Sequence, residues 1–237
     1  MSKRVYQNDQ STQTNTVMSS LEMVAMSVIT PQPVYGCLPD SAKAVRKRVQ
    51  FAIQQGDLPK AIAMLNRLII QYSGTAEDFN NRGLVHLWNG HPHKAIRDFN
   101  HAIRLNPDLS AAYNNRANYY TTLDDPQNAL ADYDRAIDLN PFHVRARINR
   151  GITLRQLGRL DEALEGLDDA LMFHQLNGEA YAERGRTYHL RGDWNCAIAD
   201  YRRALATLPT KTTKPNLAVH SYRDRVMTWM SDLSTVV

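Results

Sequence analysis

A 34-residue period is the feature that most constrains what this 237-residue chain can fold into. An arginine followed by a small residue recurs at that interval, at Arg82-Gly83, Arg116-Ala117, Arg150-Gly151 and Arg184-Gly185. Twelve residues after each small residue comes an alanine, at Ala95, Ala129, Ala163 and Ala197. A period of this length in helix-compatible sequence is typical of stacked helix–turn–helix units. The sequence therefore predicts an all-α solenoid.

The periodic sequence runs from residue 41 to residue 210. It divides into five units, each read as helix A, a turn and helix B: 41–74, 75–108, 109–142, 143–176 and 177–210. Residues 211–237 do not continue the repeat, but apolar residues recur there at helical spacing between residues 215 and 233. Because the last repeat of a solenoid exposes an apolar face, we expect this segment to be a C-terminal capping helix. The alternative is a docking helix for a partner.

Residues 1–40 precede the first unit. The first 16 are polar and lack apolar periodicity, which predicts a flexible tail. Residues 17–29 are richer in Met, Val and Leu, and Met18, Leu21, Ala25 and Val28 share one face if the segment is helical. An alternative for residues 34–37 is a lipoprotein cleavage box ending at Cys37, although the bulky Tyr35 fits such a box poorly. Another alternative places residues 17–29 in the binding groove, as an autoinhibitory segment.

Composition excludes several classes of function. The net charge of +4 is mildly basic and well short of a nucleic-acid-binding signature. Cys37 and Cys196 are far apart, which favours a reducing, cytoplasmic location over a disulfide or zinc framework. No apolar run reaches membrane-spanning length. The histidines nearest one another in sequence, His86, His91 and His93, lack a carboxylate at metal-ligand spacing, so we expect no metal, no cofactor and no enzyme activity.

The recurring residues resemble the tetratricopeptide repeat family. Phe79, Tyr113 and Tyr181 stand at its aromatic position at the opening of helix A, followed by its small, alanine, aromatic, alanine and proline positions. The resemblance covers about 170 residues, and the style of the repeats is similar to that of bacterial, particularly cyanobacterial, members. It implies a right-handed superhelix whose concave surface binds other proteins. Departures from the pattern in the first unit, such as Val45 and Leu68, predict that this unit packs more loosely.

Arginine recurs one residue before the small position, where many members of the family carry leucine. Asp98, Asp132 and Asp200 recur sixteen residues after three of these arginines, whereas the fourth unit has Gly166. This joint recurrence predicts Arg–Asp pairs that connect helices A and B or neighbouring repeats. We therefore expect a structural role for these arginines.

The resemblance also implies which residues line the concave groove, because helix A of each unit forms that surface in the family. Asn81, Asn115 and Asn149 lie one period apart, and a carboxamide both donates to and accepts from an extended peptide backbone. The alternative is that these amides satisfy helix ends or water. The basic first unit would attract an acidic segment. The candidate groove residues are Lys43, Arg46, Lys47, Asn80, Asn81, Trp88, Asn114, Asn115, Asn118, Arg145, Asn149, Arg155 and Arg186.

These patterns predict a non-enzymatic scaffold or assembly adaptor that binds an extended or helical segment of another protein. The clamp with which some chaperone adaptors of this family hold a C-terminal carboxylate is not matched, since Glu179 and Glu183 stand where cations are needed. Two alternatives remain: a membrane-anchored or periplasmic lipoprotein scaffold, and a nucleic-acid-associated protein that uses the basic N-terminal units.

Overall fold

The computed structural model describes residues 41–209 and 222–234, and the secondary structure of this part of the chain is entirely helical. The predicted N-terminal tail and residues 210–221 lie outside the described residues. The helices are α1 (Ala42–Gln54), α2 (Leu58–Gln71), α3 (Ala76–Trp88), α4 (Pro92–Leu105), α5 (Ser110–Thr122), α6 (Pro126–Leu139), α7 (Val144–Gln156), α8 (Leu160–Met172), α9 (Asn177–Arg191), α10 (Trp194–Thr207) and α11 (Tyr222–Ser234).

The first ten helices form five consecutive pairs, and local sequence explains where each turn falls. Pro92 and Pro126 begin α4 and α6, because proline fits the first helical turn, where no intrahelical donor is needed. Asp57 caps α2 by accepting from the backbone N–H of Lys60 at 3.1 Å. The A-to-B turns use left-handed backbone, as at Gly90 with φ of 72°. Asp124 takes this conformation in the third unit.

Connections between units take two forms, according to whether proline follows helix B. Asn106 and Asn140, which precede prolines, are extended with φ of −141°, as the proline ring requires of the residue before it. Where the period lacks proline, the chain reverses through left-handed residues instead: Ser73 with φ of 53°, and His174 and Leu176 with φ of 53° and 55°.

Within each unit the small residue of helix A lets helix B approach closely. A Cβ added at Gly83 would lie 2.7 Å from a ring carbon of Phe99, and one added at Gly185 would lie 2.8 Å from Tyr201. Looser packing of the first unit stays a prediction. Val45, smaller than the aromatic residues of the other units, and Leu68, larger than their alanines, are both buried in one core with Leu65, so neither departure from the family pattern leaves its side chain exposed.

The helix contacts define the curvature of the array. Each helix B packs against its own helix A, and in the first four units it also packs against helix A of the next unit. Successive A helices also touch one another, from α3 through α5 and α7 to α9, whereas the helix pairs in substantial contact in the described part of the chain include no two B helices. The A helices are therefore crowded on the inner, concave side and the B helices are splayed on the outer side.

The predicted arginine–aspartate pairs are present, and each arginine bridges three helices. Arg116 donates to both carboxylate oxygens of Asp132 in its own helix B, at 2.7 and 2.8 Å. Its remaining nitrogen donates to Asn100 in the preceding helix B at 2.8 Å. Arg82 makes the same contacts with Asp98 and Asn66, and Arg184 makes them with Asp200 and Asp168. We call this arrangement the arginine fork.

Aromatic rings complete each fork. The guanidinium groups of Arg82, Arg116 and Arg184 lie over the rings of Phe79, Tyr113 and Tyr181 at 5.4 to 5.5 Å from the ring centroid. These are the aromatic residues that carry the family pattern. An arginine stacked on a ring and held by a bidentate carboxylate has little freedom of orientation.

The fourth unit has half a fork. Arg150 donates to Asp134 in the preceding helix B at 2.6 Å, but Gly166 occupies the position of the aspartate in its own helix B. A Cβ added at Gly166 would lie 3.7 Å from the nearest guanidinium nitrogen of Arg150, which is ordinary contact. A side chain at residue 166 therefore starts without a clash and beside the guanidinium of Arg150.

Helix α11 covers the exposed end of the fifth unit. It packs against α9 and α10, and it buries Tyr222, Val226 and Leu233 in one cluster with Tyr201 and Leu208. This is the C-terminal capping helix that the sequence predicts. Its described part is Tyr222–Ser234, and the predicted start near residue 215 lies outside the described residues.

Completing the fork should stabilise the array. We expect Gly166→Asp to raise the melting temperature by a few degrees, because it adds a bidentate, partly exposed ion pair contributing about 1 kcal/mol. Gly166→Asn is the matched control, since it removes the glycine and has the same shape without the charge. Thermal unfolding followed by circular dichroism measures both. Equal melting temperatures for the two variants would contradict the prediction.

Candidate functional site

The concave face carries a continuous series of polar contacts between neighbouring A helices. It begins with Arg46 of α1, which donates to both carboxylate oxygens of Asp78 in α3 at 2.8 and 2.6 Å. Asp78 also accepts from the backbone N–H of Thr75 in the capping box of α3, at 3.0 Å. Burial opposes ionisation of Asp78, but its hydrogen bonds to Arg46 and Thr75 outweigh that effect and lower its pKa. We call the whole series, which runs from Arg46 in α1 to Glu183 in α9, the polar spine.

Asparagines form the middle of the polar spine. Asn115 of α5 donates to Asn80 of α3 at 2.9 Å. Asn149 of α7 donates to Asn114 of α5 at 3.2 Å and to Asn118 at 3.1 Å. Asn114 in turn donates to Asn115 at 3.2 Å. Since both Asn114 and Asn115 have 0% exposed surface, these amides bond to one another in a buried network.

This arrangement differs from the row of Asn81, Asn115 and Asn149 that the sequence period predicts. The sequence period relates Asn81, Asn115 and Asn149, but the bonded pairs are Asn80 with Asn115 and Asn114 with Asn149. Neighbouring A helices are offset, so a residue at the position of Asn115 meets the residue one place earlier in the preceding unit. The adjacent asparagine pairs at 80–81 and 114–115 are the sequence signal for this offset. A direct contact between these amides and a peptide stays a prediction.

Arginine–glutamate pairs extend the polar spine towards the C-terminus. Arg145 of α7 forms a bidentate pair with Glu179 of α9, with one oxygen at 3.1 Å. Arg155 of α7 lies 2.7 Å from Oε2 of Glu183. Its hydrogen bond is directed at the backbone carbonyl of Glu183, at 3.1 Å, so its contact with the carboxylate is ionic. Two predicted groove cations are therefore paired with carboxylates of this chain.

Glu183 is the fully buried centre of the C-terminal end of the spine. The hydroxyl of Tyr222 in α11 donates to its carboxylate, and Arg225 of α11 lies 3.7 Å from it. Burial opposes ionisation of this carboxyl, but the charges of Arg155 and Arg225 prevail and hold its pKa below the usual range. Burial, together with the adjacent charge of Glu183, raises the pKa of Tyr222. The capping helix is thus joined to the spine by a buried ionised group.

The remaining candidate residues lie beside the spine. Lys43 and Lys47 of α1 are exposed, and Asn81 and Trp88 of α3 are half-buried. Arg186 of α9 lies over the ring of Trp229 in α11 at 5.5 Å, so the capping helix covers part of the fifth unit's concave surface. At the N-terminal end, the exposed Lys43 and Lys47 make the surface beside the spine basic.

The described residues contain no group of three or more His, Cys, Asp or Glu side chains placed to hold a metal ion. His86 is buried, which lowers its pKa, and its ring meets that of His91 edge-on, with 6.0 Å between the centroids. His143 caps α7, and burial lowers its pKa to about 4. Across the described ranges, none of the helices combines the length and the apolar character needed to span a bilayer.

Three family profiles, each described as tetratricopeptide repeat, match the sequence over residues 50–118, 110–143 and 132–165. The matches together extend from the first unit into the fourth. The chain is a tetratricopeptide-repeat protein. Members of this family are typically binding scaffolds without catalytic activity.

Solved structures share the fold of this tetratricopeptide array. TTC0263, described as a thermophilic tetratricopeptide protein of Thermus thermophilus, aligns with a TM-score of 0.69 at 18% identity, over 81% of this chain and 100% of that one. MamA aligns with a TM-score of 0.56 at 21% identity, over 73% and 95%. YrrB, described as having an unusual peptide-binding site, aligns with a TM-score of 0.52 at 22% identity, over 72% and 88%. No curated protein matches in sequence.

The spine predicts that neighbouring asparagines contribute unequally to stability. Asn114→Ala should lower the free energy of unfolding by about 1–3 kcal/mol, because it removes the donor to the buried side-chain oxygen of Asn115 and one of the two acceptors of the Asn149 amide. Asn81→Ala, at the half-buried position one period before Asn115, should change it by less than about 0.5 kcal/mol. Denaturant unfolding measures both. Equal losses would show that the bonded network is not what holds these helices together.

The buried Glu183 predicts an acid-sensitive contribution to stability. Because its folded pKa lies below its unfolded value of about 4.3, the ionised group stabilises the fold above that pH and stops doing so as pH falls through the folded pKa. The melting temperatures of wild type and Glu183→Gln should therefore differ most at pH 7 and converge towards pH 3. A difference that stays constant over this range would show that Glu183 is not ionised in the fold.

Proposed function

We propose that this protein is a scaffold or assembly adaptor that binds an extended or helical segment of another protein along the concave face of its tetratricopeptide array. The observation that carries the proposal is the polar spine. Because the spine fixes neighbouring A helices to one another, the concave surface is preorganised, and a partner would not have to order it on binding. The general role of the family as protein-binding scaffolds supports the same conclusion.

The chemistry of the surface favours a partner that is acidic at one end and uncharged in the middle. Lys43 and Lys47 are exposed in the first unit, where they would attract carboxylates. The third unit presents Thr121 and Thr122, whose hydroxyls donate to carbonyls of their own helix at 2.7 Å. These oxygens retain lone pairs that can accept from a peptide N–H. The partner's acidic end would then lie over α1.

The roles of the candidate residues divide accordingly. We assign the direct contacts to the residues beside the spine, namely Lys43, Lys47, Asn81 and Trp88. The spine residues would hold the groove in shape and offer only those amide groups that their mutual bonds leave unused. YrrB, which shares the fold, is described as having a peptide-binding site, and this likeness supports a peptide ligand here. A cytoplasmic location forms part of the proposal and rests on the two separated cysteines.

A peptide selection with matched variants tests the proposal. Random peptides displayed on phage are selected against the full chain, and the dissociation constant of the best peptide is then measured. Lys47→Ala with Asn81→Ala removes a lysine and an amide from the concave side. The matched control, Lys60→Ala with Gln127→Ala, also removes one lysine and one amide, but from exposed positions of the B helices α2 and α6.

We expect the concave double variant to weaken binding at least about tenfold, which corresponds to 1.4 kcal/mol, and the outer double variant to weaken it less than about twofold. Equal affinities for the two variants would place binding elsewhere on the molecule. Failure to select any peptide would contradict the proposal itself.

A further inference from the structure

The N-terminal end of the array exposes a surface that every later unit buries. Phe51 of α1 is 61% exposed. One, two, three and four periods later, Val85, Tyr119, Thr153 and Thr187 are exposed by 0, 6, 2 and 0%. Ala44, on the same face of α1, is half-buried, whereas its counterparts Asp78, Ala112, Ala146 and Ala180 are buried. We call the surface around Ala44 and Phe51 the end face.

The fold shows what kind of element such a surface receives. In each later unit the corresponding face of helix A packs against helix B of the unit before it. The end face is therefore shaped for an apolar helix that runs antiparallel to α1. At the opposite end of the array, α11 covers the last unit after the segment 210–221, so this chain already covers one end with its own helix.

We propose that residues 17–29 form a helix that covers the end face. This segment would place Met18, Leu21, Ala25 and Val28 on one apolar face, wide enough to cover Phe51. Residues 30–40 connect it to α1. Extended, these residues span up to about 36 Å, and α1 is about 20 Å long, so the connection reaches along the whole helix. Pro31 and Pro33 prevent the helix from continuing through this connection.

Charge distinguishes this occupant from a second copy of the chain. Helix α1 carries no carboxylate, and besides Arg46, which is paired with Asp78, it carries the cations Lys43, Lys47 and Arg48. Two end faces brought together would therefore repel each other, whereas Glu22, the only charged residue of segment 17–29, is attracted to α1. Covalent attachment adds an effective concentration in the millimolar range that a separate partner lacks.

Disulfide trapping in the full chain tests the proposal. In a background with Cys37→Ser and Cys196→Ser, a cysteine is placed on the end face by Phe51→Cys. A second cysteine is then introduced singly along segment 17–29. Positions 18, 21, 25 and 28 belong to the proposed contact face, and positions 20, 23 and 27 lie on the opposite side of the helix. The rate of intramolecular disulfide formation is read from gel mobility under non-reducing conditions.

We expect disulfides to form at least tenfold faster at the four contact positions than at the three opposite positions. Rates along the segment would then rise and fall with the period of a helix. A second anchor, Ala44→Cys, leaves Phe51 in place and should give the same pattern, so loss of the Phe51 side chain cannot account for a negative result. Rates that are equal across the segment, or that change smoothly with distance from residue 41, would overturn the proposal. Disulfides formed between chains instead of within one would assign the end face to a second copy.

Discussion

The arginine fork is the interaction on which the rest of this array depends. Each complete fork joins helix A to its own helix B through a bidentate carboxylate, and to the preceding helix B through one further hydrogen bond. The aspartate lies sixteen residues after the arginine, and the second acceptor lies sixteen residues before it. One arginine at a fixed position of the repeat therefore holds the two helices of its own unit together and also stacks that unit on the preceding one. Since the aspartates are largely buried, leaving one unpaired would lower the free energy of unfolding substantially. Each fork therefore disfavours any other alignment of neighbouring helices.

The polar spine joins neighbouring A helices on the inner side of the array, just as the fork joins helices A and B. It connects α1 to α3 by Arg46 and Asp78, the central A helices by asparagines, and α7 to α9 by arginine–glutamate pairs. It ends at Glu183, where the capping helix contributes Tyr222. The family groove thus has a floor in which most polar groups are already satisfied. A ligand gains specificity mainly from residues at the side of this floor, and the floor itself contributes rigidity.

The repeat made the fold predictable from sequence. Glycines and alanines at one position, aromatic residues at another and aspartates sixteen residues after arginines all predicted contacts that the structure contains, because a 34-residue period superimposes equivalent environments. The groove was harder to predict. Periodicity assigns Asn81, Asn115 and Asn149 to one row, but bonding depends on the offset between helices, which pairs Asn80 with Asn115 instead. The carboxylates at Glu179 and Glu183 argued against a clamp, yet their pairing with Arg145 and Arg155 required coordinates.

A double-mutant cycle on Arg116 and Asp132 tests the central role of the fork most directly. Arg116→Ala should lower the free energy of unfolding by about 2–4 kcal/mol, since it leaves Asp132 unpaired and nearly buried. The double variant with Asp132→Ala should cost less than the sum of the single variants by at least about 1 kcal/mol. Arg97→Ala, at an exposed position of α4, should change stability by less than about 0.5 kcal/mol. Additive losses, or an Arg116→Ala variant as stable as Arg97→Ala, would contradict the account.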